Sequence, residues 1–127
     1  MYSDALMGRF LEPSHAGDLG DPEGTAQAGN RTCGDVVHLA LKVTDGLIVD
    51  ARFRAQGCAT AIASADVICE LVIGTSLTEA QTIDYPGLSR ALGGIPDDRT
   101  NCAIIVLEAL RAAVEQARSR ALAAPSA

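Results

Sequence analysis

Aromatic side chains are nearly missing from this chain: they make up 3% of its 127 residues, and there is no tryptophan. Its apolar 48% is therefore mainly Ala, Val, Ile and Leu, and any core must be built from them. Basic clusters are missing too. Ten Lys and Arg stand against 16 Asp and Glu, a net charge of −6, with no Lys/Arg-rich run. That argues against a nucleic-acid phosphate backbone as partner. No apolar run approaches the ~20 residues of a membrane helix. Met1-Tyr2-Ser3-Asp4 has neither the basic start nor the apolar stretch of a secretory signal. The expectation is a cytoplasmic protein with no membrane partner. None of the four cysteines forms a CxxC pair, which excludes a zinc knuckle and a thioredoxin-type motif. In a reduced compartment such cysteines read as ligands or core residues, not disulfides.

What is present points to one domain over residues 1–127, long enough to bury roughly two thirds of its unfolded surface. Residues 3–12 place Ala5, Leu6, Phe10 and Leu11 at helical spacing, with a stop at Pro13. Residues 14–31 carry Gly17, Gly20, Gly24 and Gly29 with Pro22, which suits a flexible segment holding at most one edge strand. Val37, Leu39, Leu41 and Val43 alternate with more polar neighbours, the period-two pattern of a half-buried strand. After the turn signal Thr44-Asp45-Gly46, a second strand is expected to bury Val49, Ala51, Phe53 and Ala55. Arg52 and Arg54 then form a solvated face. From Ala59 to Ile73 the chain is dense in Ala, Ile, Val and Leu up to Gly74, a largely buried helix with charges at Asp66 and Glu70. Short helices are expected at Leu77–Ala80 and Gly87–Leu92. A long helix, capped by Thr100 or Asn101, should run from Cys102 to about Ala121, ahead of a disordered tail at 122–127. Strands followed by helices predict an α+β domain, a small antiparallel sheet of about three strands with helices on one face.

Three cysteines stand apart from this framework: Cys33 in Cys33-Gly34-Asp35, Cys58 after Gly57, and Cys102 after Asn101. They lie 25 and 44 residues apart, so only the fold can bring them together. On one strand Cys33 and Asp35 would face the same way. Cys58 and Cys102 fall at helix starts, where the dipole favours thiolates and pKa values drop to roughly 3.5–7.5 from ~8.5. Thiolates suit soft metals such as Zn and Fe–S clusters. Arg99, three residues before Cys102, could pair with Asp35 or with a bound persulfide. Cys69 reads as core: it is three helical turns from Cys58, roughly 16 Å at 1.5 Å per residue. His15 and His38 read as loop and strand residues without a ligand role.

The segments Cys33-Gly34-Asp35-Val36, Ile48-Val49-Asp50-Ala51-Arg52-Phe53 and Gly57-Cys58-Ala59-Thr60-Ala61-Ile62-Ala63-Ser64 resemble the IscU/NifU family of iron–sulfur assembly scaffolds. The resemblance runs from Tyr2 through Glu12-Pro13 and Gly17 to the last helix. It implies a SufE/NifU-like fold and a scaffold, not an enzyme. On such a scaffold sulfur from a cysteine desulfurase meets iron to form a [2Fe–2S] cluster that passes to apo-proteins. It further implies Cys33, Cys58, Cys102 and Asp35 as ligands of the cluster, or of Zn2+ or Fe2+ in the same pocket. Asp35 would promote lability, and Cys102, carried on a mobile loop, would accept persulfide. The chain would be a monomer or a cluster-bridged or weak homo-oligomer.

Departures from the family pattern qualify this. Asn101 stands where the family commonly has His, so Asp35 becomes the better fourth donor. Ile95-Pro96-Asp97-Asp98-Arg99 replaces the apolar centre of the segment read by DnaK-type chaperones with two acids, which weakens the case for a chaperone and co-chaperone. The long insertion of SufU relatives is missing between the second and third cysteines. The alternative reading is nevertheless a SufU-like, zinc-dependent persulfide carrier.

Overall fold

The computed structural model describes residues 2–30 and 34–123. The ligand assigned to Cys33 therefore lies outside the described residues. The elements run α1 (Asp4–Leu11), β1 (Gly24–Asn30), β2 (Asp35–Thr44), β3 (Leu47–Gln56), α2 (Ala59–Val72), α3 (Leu77–Ala80), α4 (Tyr85–Ala91) and α5 (Thr100–Ala123). The sheet is antiparallel in the order β1-β2-β3.

The hairpin turns on two residues at positive φ, Asp45 at 53° and Gly46 at 78°, which matches the right-handed twist of the strands it joins. Val37, Leu39 and Leu41 of β2 and Ala51 and Phe53 of β3 bury their side chains beneath α2 and α5. The expected burial of Val49 is not found. Lys42 pairs with Asp50 and Val43 with Ile48, so Val49 is the extra residue of a bulge. The bulge reverses the alternation: Ile48 is fully buried and Val49 is 51% exposed.

β1 is the edge strand of the glycine-containing stretch, and it lies hard against α5. A Cβ on Gly24 would sit 2.2 Å from the Ala113 carbonyl oxygen, so only glycine fits there. Two helix starts differ from expectation. α4 begins at Tyr85 with Pro86 in its first turn, where the missing N–H costs nothing, and Asp84 caps it by accepting the Gly87 N–H. α5 begins at Thr100, behind a 3₁₀ turn at Asp97–Arg99, and places Cys102 inside the first turn. It continues through Ala123, into the first two residues of the expected tail; 124–127 lie outside the described residues.

α1 starts at its N-cap Ser3, whose hydroxyl also donates to the Leu92 carbonyl, and it buries Leu6 completely. Arg9 then reaches across α2 to Asp66 and Glu70, at 2.9 and 2.7 Å. No helix among the described residues is long and apolar enough to cross a membrane.

Candidate metal centre

One end of the sheet gathers the start of β2 and the starts of α2 and α5. Asp35 opens β2 on its core-facing side. The register pairs Val36 with Gln56, so the next step along β3 brings Gly57 alongside Asp35. Cys58 follows as the N-cap of α2, a position where Ser, Thr, Asp or Asn ordinarily satisfies a free helix N–H. Its thiol makes no such bond and turns to Asp35 instead: Cys58 Sγ donates to Oδ2 at 3.6 Å, and the Cys58 N–H donates to Oδ1 at 3.1 Å.

Cys102 completes the group. Donor atoms of Asp35, Cys58 and Cys102 all lie within 4.8 Å of one another, and no other set of three His, Cys, Asp or Glu side chains converges among the described residues. Two soft sulfurs and one carboxylate oxygen form a donor set suited to zinc or iron. Asp35 and Cys102 are 2% and 1% exposed, and Cys58 is half-buried.

The expected low thiol pKa is not found at Cys102. Burial pushes this thiol up, and the Asp35 carboxylate and Cys58 add to the shift. Loss of water and a facing anion thus outweigh the helix N-terminus. Nor does Cys102 ride on a loop, since it is part of a helical turn. Arg99 is held above its ordinary value by Tyr2 first, then by Asp98 and Cys58, with a smaller contribution from Cys102. It thus lies within electrostatic reach of both thiols, but no ion pair with Asp35 forms among the described residues. Asn101 is exposed, whereas its neighbour Cys102 is buried.

Cys69 is fully buried in mid-helix, as its spacing implied, and its thiol is pushed up to about 12 by burial and the nearby Asp66 charge. The sequence reading marked Asp66 only as one of two charges on a largely buried helix and gave it no partner. It is 1% exposed, accepts from Arg9, and takes the His15 backbone N–H at 2.8 Å. Gly57 was visible only as part of a Gly-Cys pair, and its steric role emerges from the register.

The family model for the NifU-like N terminal domain matches residues 1–124 of the chain. The chain belongs to that family. Among its relatives, the iron–sulfur cluster assembly scaffold protein IscU 1 of Archaeoglobus fulgidus is 36% identical over 114 residues, 90% of this chain and 74% of the relative. The scaffold protein IscU of Escherichia coli K12 is 35% identical over 123 residues, 94% of this chain and 95% of the relative. The crystal structure of a NifU-like N-terminal region from Brucella abortus superposes with a TM-score of 0.77 at 19% identity, covering 93% of this chain and 94% of its own; it shows a shared fold. The converged Asp35, Cys58 and Cys102 are thus a donor set of the kind that can hold a metal ion, carried on a NifU-type fold.

Proposed function

We propose that this member of the NifU-like family is a scaffold on which iron and desulfurase-derived sulfur become a [2Fe–2S] cluster for delivery to apo-proteins. The observation that carries this is the convergence of Asp35, Cys58 and Cys102 within 4.8 Å. In this reading Cys33 supplies the third sulfur, and Asp35 the oxygen. Sulfur arrives when the Cys102 thiolate attacks the outer sulfur of a desulfurase persulfide. The old S–S bond breaks, the desulfurase thiolate leaves, and Cys102 holds the new persulfide. Reduction of that persulfide to sulfide requires two electrons from an external donor. Because Cys102 is 1% exposed, the incoming persulfide reaches it only when the first turn of α5 shifts. Gly93 and Gly94, at φ 70° and 106°, precede that turn and can absorb the change. Arg99 supplies positive charge beside the thiols, Asn101 lies on the rim, and zinc or Fe2+ can occupy the same donors.

Anaerobic reconstitution with iron, cysteine and a cysteine desulfurase tests this. The expected product carries iron and acid-labile sulfide in roughly equal amounts and transfers them to an apo-ferredoxin. Retained zinc, no sulfide and faster desulfurase turnover would instead make the chain a sulfur carrier.

A further inference from the structure

We infer that Gly57 is a positioning residue that, with the Cys58 N–H, makes Asp35 a one-oxygen ligand. The inference rests on the metal-binding reading of this site and concerns how its carboxylate is held. Asp35 is 2% exposed, so its carboxylate has little freedom to choose another partner. One oxygen, Oδ1, accepts the Cys58 backbone N–H at 3.1 Å. The other, Oδ2, faces the Cys58 thiol at 3.6 Å. The carboxylate can lie this close to the β3–α2 connection only because residue 57 has no side chain. A Cβ there would stand 2.3 Å from Asp35 Oδ1, 2.6 Å from its Cγ and 3.0 Å from its Cβ. The collision falls on the functional group itself. Backbone conformation adds to the demand, since Gly57 sits at φ 155°.

Two consequences follow. With Oδ1 committed to the backbone, Asp35 offers a metal a single, charge-bearing oxygen and not a bidentate grip. A monodentate carboxylate among thiolates is an exchangeable ligand, so the clamp sets how firmly the site holds its cargo. Any side chain at position 57 drives the carboxylate off this line, and the site then behaves as though Asp35 were absent.

Cobalt(II), whose thiolate charge-transfer and d–d bands report its ligands, provides the probe. Titrating the full chain with Co2+ alone reads the clamp without cluster assembly. Asp35→Ala removes one ligand, which changes the band pattern and weakens binding. Gly57→Ala, which displaces that ligand, is expected to change the bands in the same way and to weaken binding on the order of tenfold or more. The double variant is expected to be no weaker than Asp35→Ala alone. A Gly57→Ala protein with wild-type bands and affinity overturns the inference, and so do effects that add in the double variant. If Gly57→Ala does not fold alone, Asp35→Gly/Gly57→Ala removes the collision but not the backbone strain at φ 155° and should recover part of the lost stability; a double variant that recovers none overturns the clamp. Normal Co2+ behaviour in wild type with no cluster on reconstitution sinks the scaffold proposal and leaves the clamp standing on its own result. Wild type that binds no Co2+ sinks both.

Discussion

Cys58, Cys69 and Cys102 share a chemistry but not an environment, and the differences order their reactivity. Cys58 caps α2 with a half-buried thiol. Cys102 is 1% exposed and its thiol is pushed up by burial and by Asp35, while Cys69 is fully enclosed and raised to about 12. Alkylation needs both access and thiolate. Of these three, iodoacetamide at neutral pH should therefore modify Cys58 first, and Cys102 and Cys69 far more slowly, as followed by peptide mass spectrometry. Zinc should protect Cys58. Cys102 or Cys69 reacting ahead of Cys58 would contradict the packing described here. The same shift means that metal loading must expel a proton from Cys102, so affinity should rise with pH.

Elements are tied to one another by a few charged contacts that periodicity could not reveal. Arg9 of α1 meets Asp66 of α2, which is 1% exposed, and Glu70, whose side chain is 55% exposed. Arg9→Leu strands a buried carboxylate and should cost about 3 kcal/mol in urea unfolding. Glu70→Ala should cost well under 1 kcal/mol, being a surface partner. At the other side of the sheet, Glu23 ties the chain ahead of β1 to β2. Burial works against its charge, but the Val43 N–H at 2.7 Å and Lys42 at 3.3 Å hold its carboxyl below the ordinary 4.5. A depressed folded value gives stability that is present above 4.5 and lost as pH falls through the folded pKa. Glu23→Gln keeps the Val43 acceptor and removes only the charge. The stability gap between wild type and this variant should therefore be open at pH 7 and narrow on acidification below about 4.5; a gap unchanged with pH would refute the charge contribution. Strands and helices themselves were legible, because alternation in Val37–Val43 and the apolar density of 59–73 are set by burial on one face. The bulge at Val49 was not, since it arises from Val43 pairing with Ile48 across the hairpin. The helical start at Tyr85 was hidden because Pro86 reads as a breaker unless its place in the first turn is known.

For the molecule as a whole, the question is whether metal builds the fold or the fold builds the metal site. The donors come from residues 35, 58 and 102, and the chain from β2 through α5 supplies an enclosed core of Leu39, Leu41, Ile68, Val106 and Leu110 between sheet, α2 and α5. That core requires no metal to close. The cysteine spacing showed only that the fold must assemble the site; the convergence of three element starts at one end of the sheet is a product of topology, which no local pattern encodes. Chelation should therefore leave a folded apo-protein with a single cooperative thermal transition and retained helical circular dichroism. Added zinc should raise the midpoint only by mass action, about 2.7 kcal/mol when free zinc is ~100 times its Kd. Loss of helical signal on chelation, regained with zinc, would mean that the ion holds the domain together, as in a structural zinc module. A folded apo state is also what a carrier needs: if releasing the cargo unfolded the protein, each delivery would bear the ordering entropy of the whole domain, whereas a prebuilt site confines the change to the first turn of α5 and the carboxylate of Asp35.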